Sequence, residues 1–247
     1  MEYENNLILV EKPADKVALI TLNNPPLNLV TLELSRELKE TLFRLEQDDE
    51  VRVVVLTGSG EKAFCVGSDV KEFPQVWDDV IGKKLQKENE VFNAIEFLDK
   101  PVIAAMEGNV CGGGYEMAMA CDLRILSESG RIAQPEINLG VFPGSGGIFR
   151  LPKLVGASKA MEMMFLGEFI DAEDCLRLGL VNRLAPAGKT VSAALDLAER
   201  IAHKPFEAIK LIKKGYGKSV WYPQINVFIK TWNLAGAYSK QRTVKKG

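Results

Sequence analysis

Apolar residues along this chain keep two different rhythms, and the alternation between them sets the expected architecture. Val17-Ala18-Leu19-Ile20-Thr21-Leu22 and Val51 to Leu56 are short, β-branched apolar runs of the kind that form strands buried on both faces. Between them Leu34, Leu38, Leu42 and Leu45 recur at spacings of three and four, and Thr31 ahead of them supplies an N-cap, so a helix is expected. Val91, Phe92, Ile95 and Leu98 mark a second helix, which must stop before Pro101 because a residue preceding proline is disfavoured in helical backbone. A strand from Pro101 to Met106 follows, then Gly112-Gly113-Gly114 leads into a helical Met117-Ala118-Met119-Ala120, and Leu123 to Leu126 returns as strand. Strands alternating with helices predict an α/β fold with a largely parallel sheet.

From about residue 157 the pattern turns helical, over Ala157 to Leu166 and Ala172 to Leu178, with a short strand expected at Leu180-Val181. Beyond Gly188 everything reads as helix. Val191, Leu195, Ala198 and Ile201 form one stripe, and Ala208 to Ile212 and Ile225 to Trp232 carry further apolar faces. A helical tail of this kind docks or oligomerises. The chain therefore divides into a core over 1–188 and a helical oligomerisation region over 189–247.

Composition then narrows the function classes. The 247 residues are 47% hydrophobic and 26% charged, enough for a sizeable core. Lys plus Arg total 31 against 33 Asp plus Glu, so the positive footprint of a nucleic-acid binder is missing. No apolar run approaches the ~18 residues that span a bilayer, and Met1-Glu2-Tyr3-Glu4 lacks the basic flank of a signal peptide, which predicts a cytoplasmic address. Cys65, Cys111, Cys121 and Cys175 show no Cys-x-x-Cys spacing, and the single histidine, His203, lies far from them in sequence; zinc and disulfide frameworks are both excluded. The cysteines read as buried, inert thiols, and His203 as a cap or surface residue.

Glycine-rich segments carry the candidate chemistry. Gly58-Ser59-Gly60-Glu61-Lys62-Ala63 mimics a dinucleotide fingerprint but does not continue as a helix, so it reads as a surface turn. Pro143-Gly144-Ser145-Gly146-Gly147 has proline where a nucleophile elbow needs glycine. Gly112-Gly113-Gly114, between a strand and a helix, allows positive φ and close approach to a ligand, and its N–H groups can hold an oxyanion. Val66-Gly67-Ser68-Asp69 is a second such bend, offering the Ser68 N–H. Two glutamates border these segments: Glu116 after the triplet and Glu136 within Gln134-Pro135-Glu136. On residue type alone each has an ordinary alternative, Glu116 as a first-turn carboxylate favoured by the helix dipole and Glu136 as a solvated turn residue. Asp69 reads equally as a helix N-cap or a ligand contact. Arg150 and Lys153 read as solvated or structural.

Taken in order, Ala63-Phe64-Cys65-Val66-Gly67-Ser68-Asp69, Lys100-Pro101-Val102-Ile103-Ala104-Ala105, Gly112-Gly113-Gly114-Tyr115-Glu116-Met117-Ala118 with Cys121-Asp122, and Gln134-Pro135-Glu136 with Gly140, Pro143 and Gly146-Gly147 resemble the crotonase, or enoyl-CoA hydratase/isomerase, superfamily. The resemblance runs from about residue 8 to about 235. It implies a crotonase-like spiral of repeated ββα units, a C-terminal helical trimerisation region, and a homotrimer or dimer of trimers. It also implies an acyl-CoA thioester as substrate, with coenzyme A part of that substrate and no separate cofactor or metal. The implied oxyanion hole is the N–H groups of Ser68 and Gly113, and the implied CoA contacts are Ser68, Asp69, Val70 and Lys71. Hydratases resemble this chain in having both glutamates: the likeness assigns Glu136 mainly to the Cα proton and Glu116 to positioning and activating water. An isomerase would need only a carboxylate near Glu136, and a non-catalytic acyl-CoA-binding homologue neither. Two departures stand out. The chain ends in a short basic tail, Ser239 to Gly247, where family members continue past the position of Tyr238 into a last helix that covers the CoA. Tyr115 is bulkier than usual, and either packs or narrows the acyl pocket.

Overall fold

The computed structural model describes residues 7–221. Chain order is β1 (Ile8–Ala14), β2 (Val17–Leu22), α1 (Leu32–Glu46), β3 (Val53–Gly58), β4 (Ala63–Cys65), a 3-10 segment (Val70–Asp79) running through one π turn (Ile81–Leu85) into α2 (Gln86–Phe97), β5 (Val102–Met106), β6 (Asn109–Cys111) and α3 (Gly113–Ala120). Then come β7 (Leu123–Ser127), β8 (Arg131–Ala133), a 3-10 turn (Pro135–Leu139), α4 (Gly147–Val155), α5 (Ala157–Leu166), β9 (Ile170–Asp171), α6 (Ala172–Arg177), β10 (Arg183–Ala185), α7 (Thr190–Ala202) and α8 (Phe206–Trp221).

The strands form two sheets, ordered β1-β2-β3-β5-β7-β10 and β4-β6-β8-β9. Successive strand pairs split between them: β3, β5 and β7 join the large sheet, and β4, β6 and β8 join the small one. Each pair is followed by helix, which is the expected ββα repeat. Within the large sheet every pairing from β2 to β10 is parallel, and only β1 is antiparallel.

Both faces of the large sheet are covered, which explains its unbroken apolar runs. Ala18, Ile20, Leu22, Val54 and Leu56 point into a core shared with α1, α2 and α3. The alternate residues, Val17, Leu19, Val53 and Val55, point the other way, against Ala194, Leu197, Ala198 and Ala202 of α7. Helix α1 begins as its sequence predicts, with the Thr31 side chain accepting from the Leu34 N–H at 3.0 Å. His203 caps α7, and all four cysteines are buried with their thiols pushed up to about 12 by desolvation. Gly58 ends β3 and the next residues turn at the surface, as expected.

One expectation is corrected. Leu180-Val181 is not a strand; the strand lies at Arg183–Ala185. Leu180 instead plugs the core, and its carbonyl accepts from Tyr115 Oη (3.2 Å) and Arg124 Nε (2.9 Å), bonds that a sheet ladder would have taken. The short strands β4, β6, β8 and β9 have too few residues to show a rhythm, and the sequence pattern passes over them. The Ile225 to Trp232 face and the tail from Ser239 lie outside the described residues.

Of the three adjacent glycines only Gly112 takes positive φ, at 55°. Gly114 is required for a different reason: a Cβ there would overlap the carbonyl of Cys65, because α3 packs directly on the end of β4. Gly114→Ala is therefore expected to destabilise the fold by roughly 2 kcal/mol or more, since two backbones must part to admit one methyl. Thermal and urea unfolding measure this, and an unchanged midpoint would show that β4 and α3 separate at no cost.

Candidate active site

The small sheet assembles the site. Strands β4, β6 and β8 lie side by side and parallel, so the segments leaving their C-terminal ends emerge at one edge. After β4 comes Gly67-Ser68, after β6 Gly112-Gly113, and after β8 Gln134-Pro135-Glu136. Residues far apart in sequence are thus brought together by strand register alone.

The first two segments run against each other. A Cβ on Gly67 would lie 3.2 Å from the Gly113 nitrogen, and one on Gly113 would lie 3.5 Å from the Ser68 nitrogen. Ser68 is held in a bridge to Val30, with Val30 N–H donating to Gly67 O (2.9 Å) and Asp69 N–H to Val30 O (3.0 Å). Gly113 is the first residue of α3, where a backbone N–H has no intrahelical acceptor. Among the described residues, no protein acceptor is recorded for the N–H of Ser68 or of Gly113.

One turn into α3, Glu116 is 3% exposed, and its Oε1 accepts from the Gly147 N–H at the start of α4 (2.7 Å). Burial raises its carboxyl well above the usual range, and the Glu136 carboxylate raises it further; the Gly147 N–H opposes both. Glu136 sits in the 3-10 turn after β8, and burial raises it to about 7. Both of its oxygens, and Oε1 of Gln134, are buried without a hydrogen-bond partner among the described residues. Three orphaned acceptors at one sheet edge call for donors that the described residues do not supply.

The other expected residues fall nearby in different roles. Asp69 caps the Val70–Asp79 segment, accepting from the Lys71 N–H at 2.9 Å, and Val70 and Lys71 are exposed at its start. Tyr115 is wholly buried in the main core, so its bulk is packing. Arg150 is structural: it is 3% exposed and reaches Glu96 (2.8 Å), Asn93 (2.8 Å) and the Ser145 carbonyl (3.1 Å).

Sequence reasoning missed Glu88. It is fully buried, accepting from Ser68 Oγ and Ser145 Oγ, each at 2.7 Å. Its signal was present: Glu88 precedes Val91, Phe92 and Ile95 by three, four and seven, so it is a carboxylate on the apolar stripe of α2.

Comparison with known proteins shows the family. Residues 12–247 match the family model described as enoyl-CoA hydratase/isomerase. The chain is 39% identical over 219 residues to a short-chain-enoyl-CoA hydratase of Clostridium acetobutylicum, covering 88% of this chain and 83% of that protein. It is 36% identical over 215 residues to a crotonyl-CoA hydratase of Syntrophomonas wolfei, covering 86% and 81%. The crystal structure of an enoyl-CoA hydratase from Bacillus anthracis superposes with a TM-score of 0.83 at 33% identity, over 96% of this chain and 93% of that one. With its paired strands split between two sheets and its site at the edge of the smaller, the chain belongs to the enoyl-CoA hydratase/isomerase family.

Proposed function

We propose that this protein catalyses the reversible syn addition of water to a 2-trans-enoyl-CoA thioester. The observation that carries this reading is the pairing, at one sheet edge, of two buried carboxyls with two N–H groups that meet no acceptor among the described residues. The thioester oxygen is held by the Ser68 and Gly113 N–H groups, which stabilise the charge that gathers there as the enolate forms. Ser68 serves because a backbone group does the work, and the CoA arm leaves along Asp69, Val70 and Lys71.

The proton inventory closes. Above about pH 7 the pair holds one proton, because burial raises both carboxyls and the Glu136 charge raises Glu116 further. Glu136 gives its proton to Cα while Glu116 takes one from the water whose oxygen bonds to Cβ. The single proton has then moved from Glu136 to Glu116, the direction that the deeper burial of Glu116 favours, and exchange with solvent resets it. Coenzyme A is part of the substrate, and the reaction as written needs no other cofactor.

An isomerase reading, in which one carboxyl moves a proton between Cα and Cγ, is favoured by one fact: among the described residues, Glu136 is the one carboxylate with both oxygens buried and unpartnered. It predicts that Glu116→Gln retains turnover of a 3-enoyl-CoA. Assembly as a trimer or dimer of trimers, involving 189–247, is supported by an exposed apolar face that includes Leu139, Phe165 and Leu166, each more than half exposed. Light scattering at micromolar concentration should give three or six chains, and a monomer would refute it.

For hydration of crotonyl-CoA, Glu116→Gln and Glu136→Gln are each expected to lower kcat by about 10²- to 10⁴-fold. Unchanged rates in either would remove the hydratase reading. The pH profile of kcat/KM should rise through about 7 as the pair gives up its first proton, and fall at higher pH when the second leaves. A profile flat from pH 5 to 9 would exclude the shared proton.

A further inference from the structure

Glu88 lies against this machinery without a part in the reaction as written. Its Oε1 accepts from Ser68 Oγ and its Oε2 from Ser145 Oγ, both at 2.7 Å, and Lys84 Nζ stands 3.3 Å from Oε1. Lys84 is itself fully buried, fixed by Glu72 at 2.6 Å and the Val30 carbonyl at 3.2 Å. The next residue of α2, Asn89, donates to the Gly144 carbonyl at 2.8 Å. Helix α2 thus grips two loops at once: the Ser68 loop that offers an oxyanion donor, and the 143–146 loop that leads into Gly147, whose N–H holds Glu116.

Lys84 accounts for part of the charge there, although its buried ammonium is already paired with Glu72 at 2.6 Å. Glu88 occupies the apolar stripe of α2, where an aliphatic residue would fill the space without the desolvation cost of a carboxylate. What an aliphatic residue lacks is the ability to bind two hydroxyls in a fixed geometry.

We propose that Glu88 is a positioning residue. Its carboxylate clamps Ser68 to Ser145 and so fixes the spacing between the group that holds the thioester oxygen and the carboxyl that handles the water. The inference rests on the hydratase reading for what the clamp serves, and on the two serine contacts for its existence. The clamp also leaves an electrostatic trace. The charges that bear on Glu116 are Glu136 after β8, Glu88 on α2 and Arg150 on α4, the first two raising its carboxyl and the last lowering it.

The test compares wild type with Glu88→Leu, Glu88→Gln, Ser68→Ala, Ser145→Ala and the Glu88→Leu/Ser68→Ala double variant, each checked for folding by thermal unfolding. Glu88→Leu should lower kcat for crotonyl-CoA hydration about 30-fold with KM within about threefold, since misplacement of donors costs turnover more than binding. Glu88→Gln can accept from one serine and donate to the other, so it should recover most of that rate. It should also move the alkaline limb of the pH profile to lower pH, because one negative charge no longer raises Glu116, the carboxyl that keeps the second proton. The double variant should be little worse than Glu88→Leu alone, as expected of two residues in one contact. If Glu88→Leu fails to fold, Ser68→Ala and Ser145→Ala, each expected to lose about fivefold in kcat, decide the matter.

Wild-type kcat and pH profile in the folded Glu88 and serine variants, or fully additive losses in the double variant, would overturn the clamp and leave the hydratase reading intact. If wild type hydrates no enoyl-CoA, the hydratase reading fails by itself. The clamp is then judged by the ultraviolet absorption of the enolate of bound acetoacetyl-CoA. A band that weakens in Glu88→Leu sustains it, and a band that is absent or unchanged overturns it.

Discussion

The parallel pairing of Asn109–Cys111 with Ala63–Cys65 on one side and Arg131–Ala133 on the other decides where three separate segments of chain leave the sheet. Parallel strands place their C-terminal ends at the same edge, so Ser68, Gly113 and Glu136 become neighbours without any contact designed between them. The strands are only three residues long, and they hold because the longer sheet behind them anchors each partner: β3 precedes β4, β5 precedes β6 and β7 precedes β8. A slip of one residue in β6 would carry Gly113 away from Ser68 and turn its side-chain pattern to the opposite face. Their juxtaposition is thus a property of register.

The same arrangement sets the electrostatic cost. Glu88, Glu116 and Glu136 are all withdrawn from water, and desolvation is the first cause of the upward shift in each. A carboxyl whose folded value lies above its unfolded one supports the fold below the unfolded value of 4.5 and loses that support as pH rises through the folded value, about 7 for Glu136. At neutral pH the site therefore works against stability, and the packing of both sheet faces has to offset it. Glu88 differs from the other two in being satisfied: two hydroxyls and an ammonium surround it, whereas Glu136 has no partner among the described residues.

How much of this was legible depended on length and on distance. The helices at Leu32–Glu46 and Ala157–Leu166 and the strands β2, β3, β5 and β7 were readable because each has enough residues for a period to show, whereas β10, with three, was expected at Leu180-Val181 instead. Strands of two or three residues have no period, so the sheet that builds the site was invisible to hydrophobic pattern and entered only through the family resemblance. Glu116 and Glu136 stood out because glycine and proline flank them. Glu88 did not, since its meaning comes from Ser68 and Ser145, 20 and 57 residues away. Tyr115 was ambiguous for the same reason: its partner, the Leu180 carbonyl, is 65 residues distant.

The large sheet buries its two faces in separate layers, one against α1, α2 and α3, the other against α7. Alternate residues of a single strand therefore answer to different selective demands. Val54 and Leu56 back the layer that carries α3 and its glutamate, while Val53 and Val55 meet only the α7 layer, on the face turned away from the site. Changes in the α7 layer bear on how that helix is held, whereas changes in the α3 layer bear on where Glu116 is placed. A lineage of such chains can accordingly adjust its thermal range through every second residue of the same strands, leaving the residues between them to hold the chemistry still.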